Sequence, residues 1–444
     1  MPGVRYYGSM RDFLARYVPA GSAVLALTTF ASYVLGLLRD RVFAHTFGVG
    51  VSLDAYNAAF LVPDFLFNVL VASGVAAAVV PLFSKLKKQN ISQAYAYIDT
   101  VVAAAMGAMV ITGALIMMFA PALSHLVAPG LSGEGRILTI KAMRILAISP
   151  ILFAASNALG AMLVAQRRFL FYGLSPVFYN LGIIGGVLFL APRFGIMGVA
   201  YGTLLGALLH ALVRLIDALR SGWRWRGAFS LTSPEFILTL RLMAPKMAGH
   251  PVELATFWVF TSLASFLGAG TISALNFARN FQSVPVSVLG ITMATAVFPM
   301  LSEAALGSRR ELKRLFQRMT VSILLISVLA AAVMFLAARP LVAILLGGGN
   351  FDTEAVGRVA AVLAVFCLSI PTESLSHLFA RAFYAVQNTV IPVVFSVVSL
   401  LIAGGSAYVL MGRFGIVGLP LGFFLGSAVK TVGLYILFLS FTRR

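Results

Sequence analysis

Apolar segments of about 20 residues or more, each bounded by glycine, proline or a basic cluster, recur along the whole of this chain. A stretch of that length enters lipid only as a helix, because no other single-segment structure satisfies its own backbone N–H and C=O groups where water is absent. Of 444 residues 60% are hydrophobic and 11% charged, with a mean hydropathy of +0.97. That leaves too little polar surface to keep a soluble globule dispersed. The pattern predicts an all-α, polytopic membrane protein of about twelve transmembrane helices. The spans centre near Leu35, Val69, Ala108, Pro150, Ile183, Leu205, Phe257, Val288, Val328, Leu368, Val397 and Tyr435. Cys367 is the single cysteine, so no intramolecular disulfide forms.

Lys and Arg number 33 against 14 acidic residues, a net charge of +19. The cations fall between spans, as a topology signal does, which disfavours nucleic acid as a partner. Arg5, Arg11 and Arg16 precede the first span; Lys85, Lys87 and Lys88 follow the second; Arg167 and Arg168 the fourth. Arg220, Arg224 and Arg226 follow the sixth, Arg309, Arg310, Lys313 and Arg314 the eighth, and Arg443 and Arg444 close the sequence. The positive-inside rule then predicts two cytoplasmic termini. Residues 1–19 read as a cytoplasmic amphipathic lead-in, not a signal peptide, for want of a small-residue cleavage site.

The sequence also repeats. Arg193-Phe194-Gly195-Ile196-Met197-Gly198 returns as Arg413-Phe414-Gly415-Ile416-Val417-Gly418, and Gly202 and Gly206 return as Gly422 and Gly426. Val80-Pro81-Leu82-Phe83-Ser84 matches Phe298-Pro299-Met300-Leu301-Ser302 at nearly the same offset, about 220 residues. An even number of spans per copy makes these parallel repeats: a six-helix lobe over 1–220, a cytoplasmic linker over 221–233 and a second lobe over 234–444, facing a central cavity. Two such lobes suit an alternating-access carrier.

Charges inside spans mark the path. Each costs roughly 2.5 to 3.5 kcal/mol on insertion scales unless it meets water or a partner. Arg39 and Asp40 lie in the apolar run from Gly21 to Gly48 and point about 100° apart, so they need not pair with each other. Asp54 opens the second span and suits either an N-cap or the path. Asn57, Asp64 and Asn68 share or border one stripe, broken by Pro63. Arg241, Lys246, His250 and Glu253 lie along the seventh span around Pro245 and Pro251, and Arg279 is in the eighth. Glu373, His377 and Arg381 form a four-residue ladder in the tenth: an internal ion pair, or a coupling or gating element. Arg39, Asp40, Asp54, Asn68, Arg241, Lys246 and Arg279 are the substrate-binding candidates; Glu253, Glu373, His377 and Arg381 the coupling candidates.

No GxxxxGK[ST] loop, HExxH, GxSxG elbow or cysteine pair at metal spacing occurs, so neither enzyme chemistry, a metal site nor a cofactor is expected.

The run Ser32-Tyr33-Val34-Leu35-Gly36-Leu37-Leu38-Arg39-Asp40, then Phe47-Gly48, Asp54-Ala55-Tyr56-Asn57-Ala58-Ala59-Phe60 and Val62-Pro63-Asp64, closely resembles the opening of the MurJ (MviN) lipid II flippases. The likeness continues through Val79-Val80-Pro81-Leu82-Phe83, Ala165-Gln166-Arg167-Arg168-Phe169, Pro285 and Leu289-Gly290. It implies a bacterial inner-membrane protein that carries lipid II, an undecaprenyl-diphosphate-linked glycan lipid, to the outer leaflet for peptidoglycan synthesis, with cell-wall synthesis enzymes as further partners. The family's cavity arginine falls on Arg39, beside Asp40, and its following acidic position on Asp54. Another first-span arginine of the family falls on Tyr33, and the basic pair of its second span on Phe67 and Asn68. Its eighth-span arginine falls on Arg279 or, counting back from Pro285, on Asn280. An acidic residue tied to sodium in some members falls at Phe260, and the family's two extra C-terminal spans have no counterpart. Arg241, Lys246 and Arg381 are the expected replacements for missing cations. The competing readings are a flippase for another prenyl-diphosphate glycan, an ion-coupled multidrug antiporter working through Asp40, Asp54, Glu253 or Glu373, and a scaffold without transport.

Overall fold

The computed structural model describes residues 20–227, 229–249 and 251–442, apart from the side chains of residues 20, 22, 245, 246, 248 and 253. His250 and the side chains of Lys246 and Glu253 therefore lie outside the described residues, as do the arginines before the first span and the last two.

The described chain is helical, with no strand beyond an isolated bridge between Gly348 and Phe351. In order the helices are α1 (Ala20–Phe47), α2 (Val51–Phe67), α3 (Val75–Gln89), α4 (Ile91–Val127), α5 (Gly133–Leu146), α6 (Ser149–Ala165), α7 (Phe169–Gly185) and α8 (Ile196–Arg220). They continue with α9 (Pro234–Gly249), α10 (Pro251–Ala264), α11 (Thr271–Pro285), α12 (Thr292–Leu306) and α13 (Arg309–Leu346). The last four are α14 (Thr353–Phe366), α15 (Ser369–Ala385), α16 (Val390–Phe414) and α17 (Gly418–Phe441). Among the described residues nine stretches are long and apolar enough to cross a membrane, ten when the α14–α15 pair, bent by 43°, counts as one. The stretch Val390–Phe441 holds both α16 and α17. Large apolar side chains stay exposed along them: on α13, Leu325, Leu329 and Leu336 are 66%, 66% and 78% exposed, a face that only lipid tolerates. This is a multi-pass membrane protein.

Proline shapes the spans. A proline ring removes one N–H and displaces a carbonyl one turn back, and the helix accommodates by widening. Widened π turns follow Pro63 and Pro285, at Asn68–Ala72 and Val286–Ile291, and a third covers Gly186–Leu190. The sequence repeat has a backbone counterpart: Gly195 has φ 56 and ψ −138, and Gly415 has φ 58 and ψ −137. Arg167 and Gln387, the two non-glycine residues described with positive φ, both adopt 59° and stand at that same offset. Gly202 and Gly206 allow α8 to touch α7, where a Cβ on Gly182 would overlap the Gly206 backbone; Gly422 and Gly426 do the same for α17 against α16.

Two compact units emerge from the contacts. Unit 1 comprises the described chain up to Arg39, Leu66–Met118 and Met143–Ala248; its core gathers Val79, Phe83, Ile98, Met109, Met162 and Trp223. Unit 2 comprises Asp40–Phe65, Phe119–Ala142 and Gly249–Arg444; one core cluster gathers Leu301, Phe316, Phe379, Phe383 and Phe438.

Candidate functional site

In unit 1, Arg39 is partly exposed and donates from Nη1 to Asn180 Oδ1 at 3.3 Å, a neutral partner from α7. Asn180 Nδ2 in turn donates to the Pro176 carbonyl at 3.1 Å. A guanidinium carries five N–H donors in a planar fork whose geometry matches phosphate oxygens. Deeper in the same unit lies a network missing from the sequence-based candidates. Arg214, 5% exposed, donates from Nε to Ser175 Oγ at 2.8 Å and from Nη1 to the Ser156 carbonyl at 3.1 Å, and lies over the Tyr172 ring. Ser156 Oγ meets His210 Nδ1 at 2.8 Å. Gly160 makes the room: a Cβ there would sit 2.6 Å from Arg214 Nη1.

Residues 221–226 are also fastened within unit 1. Both oxygens of Asp99, a fully buried carboxylate, are used: Oδ1 accepts from Trp223 Nε1 and Oδ2 from the Arg226 amide, each at 2.9 Å. Tyr95 Oη donates to the Ser221 carbonyl at 2.8 Å. Arg168 forms an ion pair with Asp217, whose hydrogen bond raises the arginine pKa above its ordinary value.

In unit 2, Asp40 accepts from Asn280 Nδ2 at 2.8 Å. Asp54 is fully buried, and its carboxylate accepts from the Gly270 amide at 2.6 Å, the Ser273 amide at 2.7 Å and Ser273 Oγ at 2.6 Å. It is a helix cap, but of α11 and not of its own helix: the free amides and positive dipole end of α11 receive a carboxylate supplied from α2. Nearby turns are tied in the same way. His45 Nε2 meets the Gly347 carbonyl at 2.9 Å, and Asn350 donates from its amide to the His45 carbonyl at 2.9 Å and from Nδ2 to the Thr46 carbonyl at 2.6 Å.

Unit 2 also encloses a cavity of about 220 Å³ lined by Arg279, Gln282, Glu373, His377 and Lys430, among apolar residues and hydroxyls. A second cavity of about 320 Å³ shares Ser376, His377, Ser396 and Lys430 with it and adds Arg381. Gln282 Nε2 donates to Glu373 Oε2 at 3.2 Å and to Ser369 Oγ at 3.1 Å. Arg279 lies over the Phe257 ring, and Arg381 donates from Nη2 to Thr295 Oγ1 at 2.7 Å.

The structure thus brings Arg279, Glu373, His377 and Arg381 along one pair of adjoining cavities. Asn68 lies in the widened turn of the second span, and Arg241 is exposed on α9; neither lines those cavities. No group of three potential metal ligands is found among the described residues.

A family model described as "Lipid II flippase MurJ" matches residues 43–443. The chain belongs to the MurJ family. Among its relatives, the lipid II flippase MurJ of Burkholderia cenocepacia is 27% identical over 433 residues, covering 92% of this chain and 81% of that protein. The probable lipid II flippase MurJ of Borreliella burgdorferi is 24% identical over 393 residues, covering 87% and 77%. A solved structure titled lipid II flippase MurJ, inward closed conformation, superposes with a TM-score of 0.81 at 22% identity, covering 94% of this chain and 87% of that one. An inward-facing multidrug resistance MATE family transporter of the MOP superfamily gives 0.77 at 17% identity, covering 93% and 94%. These likenesses establish a fold shared by MurJ and MATE proteins.

Of the two positions the MurJ resemblance leaves for an eighth-span arginine, Arg279 lines the cavity, while Asn280 is bonded to Asp40. Phe260 is buried, edge-on against Phe423. Gln282, Lys430 and Arg214 went unselected in the sequence reading. Lys430 and Arg214 carried the same signal as Arg39, a cation inside an apolar span; Gln282 carried none.

Proposed function

We propose that this protein moves lipid II from the inner to the outer leaflet of the bacterial cytoplasmic membrane by alternating access, with both termini cytoplasmic and without covalent chemistry. The observation that carries this reading is the match of the MurJ family model across residues 43–443. Arg39 is the headgroup contact: a partly exposed guanidinium in a membrane span, bonded to the neutral amide of Asn180, presents a planar fork of donors that matches diphosphate oxygens. The Asp54 cap and the His45 and Asn350 ties are hydrogen bonds that a transport cycle can break and remake, while widened turns at Asn68–Ala72 and Val286–Ile291 supply places for helices to bend. Export of an anion runs with an inside-negative potential, about 2.3 kcal/mol per charge per 100 mV.

The protein reconstituted in vesicles, supplied with lipid II in one leaflet, should deliver it to the other faster than protein-free vesicles. A second prenyl-diphosphate sugar and a cationic dye under an ion gradient serve as rival substrates. Transport of the dye but not of lipid II would overturn the reading.

A further inference from the structure

Arg214 sits among neutral groups at the point where α7 loses a backbone hydrogen bond. Pro176 has no N–H, so the carbonyl of Tyr172, four residues earlier, is deprived of its usual donor inside that helix. Ser175 supplies the substitute. Its Oγ donates to the Tyr172 carbonyl at 2.8 Å and accepts from Arg214 Nε at 2.8 Å, while the Arg214 guanidinium lies 4.5 Å over the Tyr172 ring. The same guanidinium reaches the Ser156 carbonyl at 3.1 Å, so one side chain joins α6, α7 and α8 at the proline break. One turn further along α7, Asn180 donates to the Pro176 carbonyl at 3.1 Å and accepts from Arg39 Nη1 at 3.3 Å. The break therefore stands between the two arginines.

Arg214 is 5% exposed, and its acceptors are a hydroxyl and a carbonyl, with no carboxylate among the described residues. Such a guanidinium is costly within a membrane span, and an apolar side chain of similar volume serves a packed core as well or better. Stability alone does not account for it. We infer that Arg214 is a positioning residue for the headgroup site: it fixes the geometry of α7 at Pro176 and, through Asn180, the place of the Arg39 guanidinium. The inference rests on the reading of Arg39 as the headgroup contact. Without the brace the Tyr172 carbonyl loses its substitute donor, α7 bends more freely at Pro176, and Asn180 moves with the segment beyond it. A displacement of about 1 Å is enough to spoil a forked contact.

The test uses the full chain in detergent with two readouts: hydrogen exchange of the α7 amides at residues 177–181 without substrate, and affinity for lipid II. Ser175→Ala and Arg214→Gln should each speed that exchange several-fold and weaken lipid II binding about tenfold. Neither should weaken it further beside Arg39→Ala, since the contact they position is then gone. Pro176→Ala returns an amide donor to the Tyr172 carbonyl, so beside it Ser175→Ala should leave the exchange unchanged. Unaltered exchange in both single variants, a lower melting temperature with undiminished affinity, or losses that add in full to that of Arg39→Ala would each overturn the inference. Undiminished binding by Arg39→Ala would instead reject the headgroup reading, and the exchange readout would still decide whether Arg214 holds α7. Should Arg214→Gln not fold, Ser175→Ala carries both readouts.

Discussion

Asp54 caps a helix it does not belong to: its Oδ1 takes both the backbone amide and the hydroxyl of Ser273, at 2.7 and 2.6 Å, while Oδ2 takes the Gly270 amide. The carboxylate is fully buried, so these three bonds are its compensation for leaving water. Asp54→Asn keeps the shape but replaces an acceptor oxygen with an NH2 that faces an amide donor. The variant should lose about 1–3 kcal/mol, read as a lower melting temperature in detergent, with Asp54→Ala at least as damaging. An unchanged melting temperature for both would remove the cap from the account.

Arg39→Ala should abolish lipid II translocation in vesicles while the protein still inserts and melts normally, because Asn180, which accepts from it, keeps its own bond to the Pro176 carbonyl. Arg39→Lys keeps the charge and loses the fork, so partial activity is expected. Undiminished flipping by a stable Arg39→Ala protein rejects the role.

Gly160 and Arg214 should prove energetically coupled. A methyl group at residue 160 meets Nη1 at 2.6 Å in a fully packed setting, so Gly160→Ala is destabilising when Arg214 is present and much less so beside Arg214→Ala. The double-mutant cycle should give an interaction energy of about 0.5–3 kcal/mol by thermal unfolding.

Freeing residues 223–226 tests Asp99. With Asp99→Ala, Trp223 Nε1 and the Arg226 amide both lose their acceptor, so trypsin should cut after Arg224 and Arg226 several times faster than in the unaltered protein. Peptide mapping of the timed digest reads the site.

Two glycine substitutions should diverge. Gly415→Ala forces a Cβ onto φ 58 and ψ −137 and should cost on the order of 1–3 kcal/mol. Gly405→Ala, within α16 with open space at its Cβ, should be neutral or stabilising. Parallel melting curves in one detergent make the comparison.

The helical, membrane-spanning character was legible in the sequence because hydropathy over 20 residues is a local property that lipid enforces. The internal repeat was legible where glycine was required, at Gly195 and Gly415, Gly202 and Gly422, since close backbone approach and positive φ leave no other residue. It was invisible at Arg167 and Gln387, which share a φ of 59° but no chemistry. Partners were less accessible. Asp54 has the residue type and position of an N-cap, and only the fold reveals that the capped helix begins at Thr271. The ladder of Glu373, His377 and Arg381 was read along its own helix, where Arg381 donates to the His377 carbonyl, and the structure adds bonds to other helices, from Gln282 to Glu373 and from Arg381 to Thr295. Spacing along one helix predicts neighbours within it and nothing about the helix that packs alongside.

Arg167 and Gln387 carry a history as well as a shape. An uncommon backbone conformation kept in both copies while the side chains diverged is the mark of a doubled ancestral segment whose turn geometry was harder to lose than its residues. Grafting the stretch around one of these turns into the place of the other should therefore be better tolerated than swapping equally similar sequence between unrelated helices.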